Sequence, residues 1–283
     1  MQPDPLTVGF IGAGNMAEAI AGALIRSETC LPANITMADV APERLKSLAA
    51  AYGTKTAADN LAAFAGSAVV FLAVKPQQAA GVLSALAAKP GYAVNRRKRF
   101  VSICAGIRIE KIESLLYWPL ADSQRRAMPI IRVMPNTPAL VLAGMSAMSP
   151  NRHTEKEDLR IVGSLLESMG RVLEVDESAM DGVTALSGSG PAYLFYLAEA
   201  METAGRRLGF SPEQSALLTL QTLKGAVALM ESSGEAPSAL RKKVTSPGGT
   251  TQAALDVLEA ADVREAVVEA VAAAARRSRE LSG

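Results

Sequence analysis

Two glycine-bearing segments of this 283-residue chain have the residue types to bind anions. The first, Phe10-Ile11-Gly12-Ala13-Gly14-Asn15-Met16-Ala17, has the form G-x-G-x-x-A, with an apolar run before it and a helical period after it. In that setting Gly12 permits a tight turn and Gly14 lets the backbone approach a pyrophosphate. Ala17 keeps the helix close to a sheet, and the helix start turns its N–H groups toward the charge. The second segment, Val244-Thr245-Ser246-Pro247-Gly248-Gly249-Thr250-Thr251, also leads into a helix. Small residues and glycines there expose N–H groups and hydroxyls to one point, which suits a carboxylate. A plain helix capped by Thr245 or Ser246 reads the same way in isolation.

Asp39 ends the second apolar stretch. A carboxylate there accepts hydrogen bonds from the adenosine ribose hydroxyls and repels a 2′-phosphate, which points to NAD. Arg44 follows closely and would instead meet a phosphate, and Asp39 reads equally well as a helix cap ahead of Pro42. Both questions stay open here. Ala73-Val74-Lys75-Pro76 and Cys104-Ala105-Gly106 close two further strand candidates. Ligands in open α/β sheets bind beyond the carboxyl ends of the strands, so both segments are expected to wall the cofactor site.

The elements that must hold these residues alternate. Residues 6–11, 35–39, 68–74, 100–104 and 130–134 read as short strands, and a helix follows Gly14 and opens at Pro42 and at Pro76. Strand after helix after strand predicts parallel pairing in a doubly wound α/β sheet. Residues 153–169 read as one more helix, and from Pro191 helices dominate, over 191–208, 211–231, 247–260 and 263–277. A dinucleotide-binding domain is expected over 1–174 and a helical domain over 175–283. The helices 191–208 and 211–231 are apolar on more than one face, which predicts a second copy of the chain against them.

Composition narrows the classes. Hydrophobic residues at 49% and charged ones at 20% suffice for a sizeable core and exclude a disordered chain. Mean hydropathy, at +0.18, agrees. The charge sum, 29 − 28 = +1, gives no global field toward nucleic acid or an anionic membrane. Cys30 and Cys104 are too few for a disulfide scaffold or a four-thiolate metal site, and the single His153 argues against a histidine metal centre or a Ser-His-Asp triad. With no signal-peptide pattern and no long apolar run, the chain reads as a soluble cytoplasmic protein. The basic run Arg96-Arg97-Lys98-Arg99 is expected to be a solvated loop, and Tyr117 to Met128 a surface loop.

Three further strings give the chain a resemblance. These are Arg132-Val-Met-Pro135-Asn136-Thr137-Pro138, Val183-Thr-Ala-Leu-Ser187-Gly188-Ser189-Gly190-Pro191-Ala-Tyr193, and the Ser-Pro-Gly-Gly-Thr-Thr run from Ser246. Together with the amino-terminal glycines, from about Thr7 to Leu281, they resemble pyrroline-5-carboxylate reductase, the last enzyme of proline biosynthesis. The resemblance implies an α/β Rossmann-type doubly wound sheet followed by an all-α carboxyl-terminal dimerisation domain. It implies reduction of 1-pyrroline-5-carboxylate to L-proline with NADPH or NADH, in a homodimer or higher oligomer. The substrate carboxylate would lie on Ser246, Gly248, Gly249, Thr250 and Thr251, with the Thr251 hydroxyl at the ring nitrogen as the catalytic contact. Asn60 would lie near the adenosine ribose, and Lys75 and Ala105 along the cofactor beside Ile11 to Met16, Asp39, Ala73, Val74, Pro76 and Gly106. A protonated imine is already an electrophile, so a protein poor in histidine can work by holding it near the hydride donor.

This chain departs from the family at Lys243, where many members carry asparagine; its charge would assist the substrate carboxylate or face water. A β-hydroxyacid-type dehydrogenase would need a lysine on the first long helix after the sheet, and 191–208 contains none. A non-catalytic dinucleotide-sensing module would leave the Ser246 to Thr251 loop without a purpose.

Overall fold

The computed structural model describes residues 6–281. The described residues divide into two compact units, 6–189 together with 274–281, and 190–273.

In the first unit the alternation of apolar runs and helical periods becomes β1 (Val8–Ile11), α1 (Asn15–Arg26), β2 (Ile35–Ala38), α2 (Pro42–Tyr52), β3 (Lys55–Thr56), α3 (Asn60–Gly66), β4 (Val69–Leu72) and α4 (Pro76–Ala87). It continues with β5 (Arg99–Ser102), α5 (Ile109–Leu116), α6 (Asp122–Ala127), β6 (Ile130–Met134), β7 (Gly144–Pro150), α7 (Lys156–Glu167), β8 (Gly170–Glu174) and α8 (Met180–Val183), then a π turn over Thr184–Gly188. Among the described residues the strands form one eight-stranded sheet in the order β3-β2-β1-β4-β5-β6-β7-β8. Every pairing is parallel except β6 with β7. The strand order reverses between β1 and β4, the place where such sheets open a crevice for a ligand.

Strand residues alternate between two cores, one on each face. Phe10 and Phe71 face one core, while Ile11, Val70 and Leu72 face the other. Phe10 and Phe71 are register partners, and their rings stack with centroids 5.1 Å apart. Both faces are covered, so the central strands read as continuous apolar runs.

Two expectations fail. The run Arg96 to Arg99 is a clamp, not a solvated loop. Arg97 pairs with Asp158 and donates to the carbonyls of Arg126 and His153, and Arg99 pairs with Asp158 at 2.9 Å. Lys98, 2% exposed, gives its ammonium to the carbonyls of Phe64 and Ser67, which end α3. Tyr117 to Met128 is likewise no loose loop. It contains α6, and Tyr117, Leu120 and Met128 are buried. The Tyr117 hydroxyl donates to Met128 O at 2.6 Å and accepts from Asn151 Nδ2 at 2.9 Å.

The second unit contains α9 (Gly190–Arg207), α10 (Pro212–Ser233), α11 (Pro237–Lys243), α12 (Thr250–Ala260) and the start of α13 (Val263–Leu281). α10 opens on a capping box, in which Ser211 Oγ accepts the Gln214 N–H and Gln214 Oε1 accepts the Ser211 N–H. α9 and α10 approach closely where Gly205 faces Ser215, since a Cβ on Gly205 would lie 2.7 Å from the Ser215 hydroxyl. The apolar side chains mostly point outward: Phe195, Leu217, Leu220 and Val257 are all exposed. No described helix is long and apolar enough to cross a membrane.

Candidate active site

The first glycine loop is fixed by its neighbours. Gly12 has φ +95°, and a Cβ there would sit 2.7 Å from Ala73 O. Only glycine fits. The Gly12 N–H donates to Ala38 O and the Ala73 N–H to Ile11 O, each at 2.8 Å, so the turn is stitched between β2 and β4. Gly14 is different: its φ is −70° and a Cβ would meet nothing within 4 Å. Neither backbone nor packing demands glycine at that position. The space beside it is open. Gly14 is also the N-cap of α1 and makes no side-chain cap bond, which leaves the first N–H groups of the helix available to an anion.

Asp39 holds this loop. Its Oδ2 accepts the Ala13 N–H at 2.7 Å and its Oδ1 accepts the Ala41 N–H at 2.9 Å. The N-cap of α2 is Ala41, so Asp39 does not cap that helix as its sequence position had allowed. Arg44 Nε donates to Ala13 O at 2.8 Å, and its guanidinium pairs with Glu18, which also accepts from the Tyr52 hydroxyl. A carboxylate and a guanidinium thus grip the N–H and the C=O of the same alanine.

Two cavities lie along the carboxyl edge of the sheet. The first, about 530 Å³, is lined by Gly12, Gly14, Asp39, Asn60, Ala73, Val74 and Lys75, all expected from the sequence. Val40, Gln78, Gly81 and Val82 complete it. Three of those share one face of α4, a signal available once Pro76 is read as the first residue of a helix. The second, about 370 Å³, takes the expected Pro76, Ala105 and Gly106 and adds Thr184, Ser189, Arg277, Ser278 and Leu281. A Cβ on Gly106 would lie 3.3 Å from Leu281 O, so the last turn of α13 forms part of this wall. Of the other expected residues, Ile11 and Ala13 are fully buried and line neither cavity. Asn15 and Met16 occupy the first turn of α1, where their backbone is the relevant part. The Cys104 thiol donates to Val74 O at 3.2 Å, and burial pushes its pKa up to about 11; it is inert and lines neither cavity. A larger cavity, about 890 Å³, carries Glu110, Glu113, Glu174, Asp176 and Glu177 against the single cation Arg152. That charge is wrong for an anionic cofactor.

The second glycine loop belongs to the second unit. Gly248 has φ +69°, and Gly249 is the N-cap of α12 with no side-chain cap bond. The Thr245 hydroxyl turns back to Arg241 O at 2.7 Å, so neither Thr245 nor Ser246 caps the helix. The Gly249 N–H is taken by Ser246 O, and the first intrahelical bond runs from the Ala253 N–H to Gly249 O. The N–H groups of Thr250, Thr251 and Gln252 are therefore the open donors, beside the half-buried Thr251 side chain. Lys243 faces water, the second of its two expected settings, and there its ammonium pairs with Glu235 at 2.6 Å.

Known proteins resemble the chain over its whole length. A family model described as pyrroline-5-carboxylate reductase dimerisation matches residues 177–281, and one described as NADP oxidoreductase coenzyme F420-dependent matches residues 7–106. A pyrroline-5-carboxylate reductase from Synechocystis is 39% identical over 279 residues, 98% of either chain. The structure of a pyrroline-5-carboxylate reductase from Coxiella burnetii superimposes with a TM-score of 0.87 at 34% identity, covering 99% of this chain and 100% of that one. A Plasmodium falciparum pyrroline carboxylate reductase with NADP bound gives a TM-score of 0.86 at 29% identity, covering 98% of each.

Proposed function

The chain belongs to the pyrroline-5-carboxylate reductase family, and we propose that its two unblocked helix starts, at Gly14 and at Gly249, divide cofactor and substrate between them. The protein reduces 1-pyrroline-5-carboxylate to L-proline with NAD(P)H, the final step of proline biosynthesis. Bound NAD(P)H supplies a hydride to the imine carbon. The N–H groups after Gly14 would hold its pyrophosphate, Asp39 and Asn60 would serve the adenosine ribose and Lys75 the stretch between, and Pro76, Ala105 and Gly106 would wall the nicotinamide end.

Ser246, Gly248, Gly249 and Thr250 hold the substrate carboxylate, and Thr251 is the catalytic contact at the ring nitrogen. As the carbon gains hydride, the C=N electron pair returns to nitrogen, and the iminium proton stays there as the amine N–H. No side chain need give or take a proton in that step, which accords with the absence of histidine from both loops. The protein's contribution is orientation.

Residues 1–174 serve as the dinucleotide-binding domain and 175–283 as the substrate and dimerisation domain. A homodimer or higher oligomer is the working form, because the outward apolar helices of the second unit bury little against themselves. A cytoplasmic setting suits Cys30 and Cys104, both buried free thiols.

The observation that carries the cofactor reading is the open space at Gly14. Gly14→Ala should keep the wild-type Tm, since nothing lies within 4 Å of the added methyl, and should raise KM for NAD(P)H in a spectrophotometric assay with 1-pyrroline-5-carboxylate. An unchanged cofactor KM would take the pyrophosphate away from this loop.

A further inference from the structure

The Arg132 to Pro138 string, part of the family resemblance, has no role in the reaction as described above. Asn136 lies just past the carboxyl end of β6. Its Oδ1 accepts the Met145 N–H at 2.8 Å, which fixes the orientation of the amide. Its Nδ2 then reaches the carbonyl and the hydroxyl of Ser187, each at 3.3 Å. Ser187 sits in the π turn Thr184–Gly188, closed by the Ser189 N–H on Thr184 O at 2.8 Å. π turns are rare and recur at functional sites, where they redirect the side chains around them. This one is seated on β6 at a second point, for a Cβ on Gly188 would fall 2.5 Å from Met134 Cε. The residues bracketing the turn, Thr184 and Ser189, line the 370 Å³ cavity with Ala105 and Gly106. Thr184 Oγ1 gives its proton to Met180 O at 2.8 Å, which leaves the oxygen as an acceptor.

We infer that Asn136 is a positioning residue for hydride transfer: by holding Ser187 it fixes the π turn, and thereby where Thr184 and Ser189 stand around the nicotinamide end of the site. The inference rests on the reading of that cavity given above. The two ends of the amide have separable duties. The Met145 bond is architecture between β6 and β7; the Ser187 bond is alignment.

Asn136→Asp separates them. One oxygen still accepts the Met145 N–H, while the other, ionised at neutral pH, opposes the Ser187 carbonyl as acceptor against acceptor and can keep only the contact with the Ser187 hydroxyl, by accepting its proton. Displacement of a positioned group by a fraction of an ångström to an ångström costs on the order of 10- to 100-fold in rate. Asn136→Asp should therefore lower kcat by about that factor, with Tm and the Kd for NADPH close to wild type. Acidification protonates the new carboxyl and restores a donor to Ser187, so the ratio of variant to wild-type kcat should rise as pH falls. Ser187→Ala, which keeps the Met145 bond and loses one of two acceptors, should move kcat in the same direction by less. It decides the matter if Asn136→Asp does not fold. Wild-type kcat in Asn136→Asp at neutral pH overturns the inference, as does a loss of kcat that tracks a loss of Tm without acid recovery. With an unfolded Asn136→Asp, wild-type kcat in Ser187→Ala does the same. Failure of the unmodified protein to oxidise NAD(P)H with 1-pyrroline-5-carboxylate would remove the underlying reading instead.

Discussion

Asp39 Oδ2 accepts the Ala13 N–H at 2.7 Å, so the carboxylate at the end of β2 locks the glycine loop at the end of β1. Asp39 also lines the 530 Å³ cavity proposed for the cofactor, and the nearby guanidinium of Arg44 is occupied by Ala13 O and Glu18. A 2′-phosphate beside Asp39 would meet a carboxylate, and Arg44 next to the loop is already engaged. Asp39→Ser should raise kcat/KM for NADPH relative to NADH by about tenfold, the equivalent of about 1.4 kcal/mol. An unaltered cofactor ratio, with both activities reduced together, would leave Asp39 as a loop clamp only.

The second unit predicts its own need for a partner. Leu217, Leu218 and Leu220 on α10 are more than half exposed, and α9 and α12 contribute no fully buried residue. Burying such leucines is worth roughly 1.5–3 kcal/mol each, which an isolated chain forgoes. Sedimentation at low micromolar concentration should show a dimer or larger species, and Leu220→Glu should shift it toward monomer with loss of activity. A stable, active wild-type monomer would contradict this.

How much was legible in the sequence follows from how far apart the partners lie along it. Local signals served well: β1, β4 and β6 are apolar runs, and α2 and α4 begin at Pro42 and Pro76, where proline costs no hydrogen bond. β7 and β8 escaped because Gly144, Met145, Ser146 and Gly170 lack the branched residues that mark a strand. The basic run hides its role for another reason. Arg97 meets Asp158 across 61 positions of chain and Lys98 meets Phe64 across 34, and no local pattern announces either. Most of the residues expected around the cofactor do line two cavities, since loops at the carboxyl edge of a parallel sheet converge by topology alone. The cavity wall formed by Thr184, Ser189 and Leu281 depends on the return of α13, which spacing does not reveal.

Asp158 gives a prediction with a sign. Burial alone would raise its pKa. The hydrogen bonds from Arg97 and the Glu155 N–H, with the charges of Arg97 and Arg99, outweigh that and hold it below the usual carboxylate value. A carboxylate depressed in the folded state contributes stability above its unfolded pKa and loses it as pH falls through the folded one. Asp158→Asn should cost about 3 kcal/mol near neutrality, because it strands two arginines. The gap between the urea midpoints of wild type and variant should narrow on acidification below the unfolded carboxylate pKa, about 4. A gap that is constant with pH would assign the loss to packing.

Thr251 is where substrate chemistry can be separated from substrate binding. The N–H groups at the start of α12 are open, and Thr251 adds a hydroxyl to them at its second position. In the proposed division the N–H groups and Ser246 would suffice for the carboxylate, while the ring nitrogen would need a side chain. A hydrogen bond involving a charged group is worth roughly 1.5–3 kcal/mol, or about ten- to 150-fold in kcat/KM. The nitrogen changes charge during hydride transfer and the carboxylate does not, so the two contacts should differ in which constant they move. Thr251→Ala should show much of its loss in kcat, whereas Ser246→Ala should chiefly raise KM for 1-pyrroline-5-carboxylate. Thr251→Val keeps the shape and removes only the hydroxyl, which makes it the sharper test. Should Thr251→Val retain wild-type kcat and KM with both cofactors, the hydroxyl has no part in the reaction, and the loop acts through the backbone N–H groups of 250–252 alone.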